Sequence, residues 1–138
     1  MTTMIRTPAL QARLAQEQPI LLQAYPTAQL LIDELVVILR NHPLPPGWSH
    51  PDTDVLFVIP ANYPAGQPDN LCARADLTLV GGDLPGNHQG VQTYGGRDWL
   101  QFSWHLEPGD WSPHAHPAAG STLADYLTGA LTRFDEAS

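Results

Sequence analysis

Fourteen prolines spread through 138 residues constrain this chain more than any other feature of its sequence. Each proline fixes one backbone angle and removes one N–H donor, so it interrupts helix interiors and central strands. With eleven glycines beside them, they predict many turns and rigid connections in place of long helices. The prolines stand between apolar runs, and 43% of the residues are hydrophobic, enough for one core. The expectation is a single folded domain, 1–138, and not a disordered tract.

Thr7 followed by Pro8 reads as an N-cap with proline at the first helical position. Leu10 and Leu14 give this short helix one apolar stripe, and Pro19 is expected to end it. Residues 30–40 are strand-like, with Leu35, Val36, Val37, Ile38 and Leu39 in succession. Pro43-Leu44-Pro45-Pro46-Gly47-Trp48 excludes regular structure. A second strand is expected over 55–59, stopped by Pro60. A third is expected over 71–80, where Leu71, Ala73, Ala75, Leu77 and Leu79 alternate with Cys72, Arg74, Asp76 and Thr78. Residues 81–96 read as a long glycine-rich connection without periodicity, and 99–106 as a short extended aromatic stretch.

The last element is the clearest. Leu123, Tyr126, Leu127, Ala130, Leu131 and Phe134 fall on one helical face, and Thr122 with Asp125 resembles a capping box. Gly129 weakens this helix by about 1 kcal/mol relative to alanine unless a close contact needs it. Strands in succession with helices at the ends predict an α+β fold. Its antiparallel sheet has about four strands, between an N-terminal and a C-terminal helix.

Charge narrows the partners. The formal charge is −8, from six basic and fourteen acidic residues, which argues against nucleic acid. The longest apolar run, 35–39, is too short to span a membrane, and residues 1–9 lack the apolar core of a secretory signal. A cytoplasmic location is expected. Cys72 is the only cysteine, so no intrachain disulfide is possible. All six basic residues are arginine and lysine is absent, which a GC-rich genome would explain through composition alone.

Two motifs and the order of the elements resemble the ubiquitin-conjugating enzyme (UBC-like) superfamily. Tyr63-Pro64-Ala65-Gly66-Gln67-Pro68 is similar to its tyrosine-proline turn after a strand. Trp111-Ser112-Pro113, ahead of a helix from about 121, is similar to its Trp-Ser-Pro motif. Leu44-Pro45-Pro46-Gly47 and Phe102-Ser103-Trp104-His105 bring the likeness closer to a prokaryotic branch found beside ubiquitin-like proteins and activating enzymes. The resemblance covers roughly 35–134. It implies a ubiquitin-like protein and an adenylating activating enzyme as partners, no cofactor, and transfer of an activated acyl group.

The resemblance also exposes a departure. Counting back from Trp111 to the family's thioester cysteine reaches Ser103, and the usual His-Pro-Asn triplet is reduced to Asn87-His88. Three outcomes follow. Ser103 carries the acyl group as an oxyester, with His105 as base, Asp110, His114 or His116 orienting it, and oxyanion donors from Gly95-Gly96 or Asn87. Alternatively the domain is a non-catalytic adaptor that binds a ubiquitin-like protein or its activating enzyme. In the third, Cys72 is a displaced nucleophile helped by Arg74, against the plainer reading of a packed strand residue.

Other constellations have competing readings. His105, Asp110, His114 and His116 could hold zinc in a small metal-assisted hydrolase, or be exposed loop residues. Trp99, Trp104 and Trp111 pack a core, or wall water from an acyl linkage, with Trp111 as structural support. Trp48 and Phe57 are core candidates. A lysine-free surface would also spare a carrier of activated acyl groups from modifying itself.

Overall fold

The computed structural model describes residues 7–138. The expectation that 1–9 hold no secretory segment falls mostly on 1–6, outside the described residues.

The first helix, α1, spans Pro8–Ala24, with Thr7 as N-cap accepting the Leu10 N–H at 3.0 Å. Pro19 does not end it. Ala15, whose carbonyl loses its donor there, and Pro19 are both exposed, so water can take the freed carbonyl. The buried stripe Leu10, Leu14 and Leu21 holds the helix together on either side of the proline.

Six strands follow: β1 (Gln29–Leu31), β2 (Val36–Pro43), β3 (Asp52–Val58), β4 (Asn70–Arg74), β5 (His88–Tyr94) and β6 (Arg97–Ser103). They form one antiparallel sheet in the order β1-β2-β3-β4-β6-β5, two strands more than the sequence suggests. Both additions have physical reasons. The apolar run over 30–40 hides a turn that ends at Leu35, with φ of 54°, and so divides into β1 and β2. β5 is an edge strand with nearly all side chains in solvent, so it shows no apolar alternation within 81–96. Gly95 and Gly96, with φ of 61° and 76°, make the two-residue turn that joins it to β6.

The third expected strand also ends early. Beyond Arg74 the chain turns, the Leu77 N–H donating to the Arg74 carbonyl, while Arg74 pairs with Asp76 at 2.6 Å. The extended stretch over 99–106 ends as a strand at Ser103.

The C-terminal helix, α2, spans Leu123–Leu131 and closes with a 3-10 turn over Thr132–Phe134. Thr122 and Asp125 form the reciprocal capping box. Both helices lie on one face of the sheet. Leu10, Leu14 and Leu21 of α1, and Leu123, Tyr126, Leu127 and Ala130 of α2, close a core over Val37, Val55, Phe57, Leu71 and Phe102. Trp48 joins it, donating from Nε1 to the Phe134 carbonyl at 3.0 Å. Among the described residues no helix is long and apolar enough to cross a membrane.

Candidate functional site

The two motifs meet in space. Prolines 64 and 68 restrict the link between β3 and β4, where the Tyr63–Pro64 bond is cis. From this link Gln67 grips Leu106 with both ends of its amide. Its Oε1 accepts the Leu106 N–H at 2.7 Å, and its Nε2 donates to the Leu106 carbonyl at 2.8 Å. Trp111 of the second motif donates from Nε1 to the Pro64 carbonyl at 2.9 Å and packs on the Tyr63 ring. The tyrosine-proline turn thus clamps the segment after β6 at Leu106 and again at Trp111.

A buried polar node supports that clamp. Glu17 on α1 accepts from Arg13 Nε at 2.6 Å and from the Tyr63 hydroxyl at 2.5 Å through Oε2, and from the Leu123 N–H at 2.7 Å through Oε1. Arg13 donates onward to the carbonyls of His114 and Ser121. All three side chains are buried. A buried ion pair offsets its desolvation only when its remaining hydrogen-bond capacity is used, as here. Burial and the nearby Glu17 carboxylate push the Tyr63 pKa well up, so the hydroxyl stays a donor. One node therefore ties α1, the tyrosine-proline turn, the segment through His114 and Ser121, and the start of α2. The sequence carried a signal for it: Arg13 and Glu17 interrupt the apolar stripe of an otherwise amphipathic helix at i, i+4 spacing.

Ser103 is the last residue of β6, opposite Asn70, with its side chain exposed. Its N–H donates to the Asn87 carbonyl at 3.2 Å, so Asn87 lies beside it. Strand alternation puts Ser103 on the side of Gln101, while its neighbours Phe102 and Trp104 pack toward α2. Trp104 lies edge-on to Tyr126, with ring centroids 5.3 Å apart. That contact explains Gly129: a Cβ there would stand 2.7 Å from the Trp104 ring.

His105 lies beyond the end of the strand, so the side-sharing expected of strand residues does not govern it. It is exposed, with Nδ1 2.9 Å from the Leu106 carbonyl. Asp110 is exposed in a 3-10 turn over Pro108–Asp110. Among the described residues no hydrogen bond joins Ser103, His105 and Asp110 to one another. Gly95 and Gly96 lie at the far end of the β5–β6 hairpin, about 20 Å along the strand, too distant to serve as donors at Ser103.

Cys72 is fully buried on the opposite face of the sheet from the helices, beside Val36, Leu56 and Trp99. Burial pushes its thiol up to about 12, so Arg74 does not activate it. The His114 Nδ1 accepts the His116 N–H at 2.9 Å. Among the described residues no group of three or more histidine, cysteine, aspartate or glutamate side chains is arranged to hold a metal.

A model of the prokaryotic E2 family E matches residues 27–123, from just before β1 to the first residue of α2. No curated protein and no solved structure matches the chain. The family match covers more than half of the sequence and includes both motifs and the clamp between them. The chain belongs to the prokaryotic E2 family, family E, a branch with the ubiquitin-conjugating-enzyme-like fold.

Proposed function

We propose that this chain accepts an activated ubiquitin-like protein from an adenylating activating enzyme and holds it as an oxyester on Ser103 before passing it on. Family membership supports both partners in general terms. The observation that carries the acceptor is the exposed Ser103 hydroxyl at the end of β6, in a chain whose only thiol is buried.

His105 is the base in this reading. A carbonyl oxygen only accepts, so the contact with Leu106 puts the proton on Nδ1 and leaves Nε2 of the neutral ring open. Gln67 fixes that carbonyl, which gives the ring its orienting group. Asp110 is left to stabilise the imidazolium at longer range. His105 Nε2 takes the Ser103 proton as Oγ attacks the activated C-terminal carbonyl carbon. The new C–O bond forms, and the adenylate or thiolate leaves. The exposed ring closes on Ser103 when the acyl group is seated, as catalytic hydrogen bonds commonly tighten only in the loaded complex.

A second reading, a non-catalytic adaptor for the ubiquitin-like protein or the activating enzyme, is favoured by the lack of a Ser103–His105 hydrogen bond among the described residues. One incubation separates the two. The chain is mixed with an adenylating activating enzyme, ATP and a ubiquitin-like protein. An adduct that survives thiols, is cleaved by strong base and disappears in Ser103→Ala supports transfer. A tight complex without any adduct establishes the adaptor.

A further inference from the structure

Acyl transfer at Ser103 puts negative charge on the carbonyl oxygen of the incoming group, and a fixed hydrogen-bond donor beside that oxygen lowers the barrier. The donors expected from the sequence are poorly placed for this. Gly95 and Gly96 lie at the far end of the β5–β6 hairpin. Asn87 precedes β5 with φ of 61°, so strand alternation does not aim its side chain.

The register of β4 against β6 brings a different amide to the acceptor. Asn70, the first residue of β4, stands directly opposite Ser103. Ser103 spends its N–H on Asn87, on the β5 side. Toward β4 the next bond runs from the Trp104 N–H to the Asp69 carbonyl, at 3.1 Å. Asn70 and Ser103 are therefore a non-hydrogen-bonded pair, the kind in which Cα atoms approach to about 4.5 Å and side chains lie closest. Opposed residues also share a face of the sheet. Farther along that face Cys72 opposes Gln101, and the Cys72 Sγ lies 3.8 Å from the Gln101 Oε1, so facing side chains of this ladder do meet. Leu71 and Phe102, between the two pairs, enter the core under the helices.

The pair is also held in place. The Tyr126 hydroxyl on α2 donates to the carbonyls of Asn70 at 3.1 Å and Trp104 at 2.9 Å, fastening the two strands where they would otherwise fray. That contact uses only the Asn70 backbone. Among the described residues no hydrogen bond engages the half-buried Asn70 carboxamide.

We propose that Asn70 is the oxyanion donor for acyl transfer at Ser103. This rests on the reading of Ser103 as acceptor. As Ser103 Oγ bonds to the carbonyl carbon, the carbonyl electron pair moves onto its oxygen, and Asn70 Nδ2 donates a hydrogen bond to it. Collapse restores the carbonyl and expels the adenylate or thiolate, and Asn70 keeps its protons throughout. On release an amine attacks the same carbon and the same oxygen carries the charge. The C–N bond forms, the C–Oγ bond breaks, and the serine oxygen takes the proton that the amine loses. One donor thus serves both steps.

The test loads wild type, Asn70→Ala, Asn70→Asp and Asn87→Ala with an adenylating activating enzyme, ATP and a ubiquitin-like protein. The isolated esters are then discharged with hydroxylamine, and urea midpoints check folding. Asn70→Asp keeps the side chain's shape and replaces the donor with an acceptor, so it decides the matter should Asn70→Ala fold poorly. Both Asn70 variants are expected to load and to discharge about 100-fold more slowly than wild type, with Asn87→Ala changing either rate by less than about tenfold. A wild-type ester on Ser103 with Asn70 variants that load and discharge at the wild-type rate overturns the proposal alone. Slower loading with unchanged discharge assigns Asn70 to partner docking and overturns it too. Wild type that forms no base-labile adduct on Ser103 overturns the acceptor reading and this proposal with it.

Discussion

The two faces of the sheet are built to different standards. The face under α1 and α2 buries Val37, Val55, Phe57, Leu71 and Phe102, and carries the Arg13–Glu17–Tyr63 node with every polar atom engaged. On the other face the buried cluster is Val36, Leu56, Cys72 and Trp99, with Gln101 buried beside Cys72, and no helix among the described residues covers them. Val36, Leu56 and Trp99 floor an open groove lined also by Leu31, Ile38 and Tyr94 and rimmed by Glu34, Arg40 and Arg97. The difference teaches where specificity resides. The covered face fixes the positions of the motif segments through buried polar contacts. The open face holds itself together with exposed ion pairs such as Asp54 with Arg97 and Arg40, and with the cation–π contact of Arg97 on Trp99.

Breaking the node should hurt most. Glu17→Ala leaves Arg13 as an uncompensated buried charge and the Leu123 N–H without its acceptor, and is expected to cost about 3–5 kcal/mol in urea unfolding. Gly129→Ala comes next. Alanine is the better helix former by about 1 kcal/mol, but its Cβ meets Trp104, so a net loss of about 1–2 kcal/mol is expected. A gain in stability would show that the Trp104–α2 contact gives way freely.

A pH series sharpens the contrast on the covered side. Burial near the Phe134 ring lowers the His42 pKa, an effect only partly offset by Asp135. The unfolded chain then binds this proton more readily than the folded one. Stability is therefore retained above the unfolded value of 6.5 and falls as pH drops below it toward the folded value. His42→Gln should flatten the unfolding free energy across that window. On the open face the effects shrink. Arg97→Ala removes a surface pair and is expected to cost below about 1 kcal/mol, visible only as a small midpoint shift.

How much of this was readable in advance follows the same division. α2 was legible residue by residue because its stripe, its capping box and the Gly129 exception are local signals. The tyrosine-proline and Trp-Ser-Pro motifs were legible as sequence, but not the Gln67 clamp, since an amide spanning from 67 to 106 leaves no periodic trace. β5 was hidden because an edge strand in solvent needs no alternation, and α1 was cut short at Pro19 because the rule for proline ignores an exposed helix side. Ser103 came from spacing to Trp111 and lies exposed at the end of β6. The pairing with His105 was inferred from strand geometry that ends one residue too soon.

The most direct test of the acceptor is a change of element at one atom. With activating enzyme, ATP and the ubiquitin-like protein, Ser103→Cys should form an adduct that dithiothreitol now cleaves, whereas the wild-type adduct withstands it. An adduct whose thiol sensitivity is unchanged by that substitution would place the acyl group elsewhere and contradict the account.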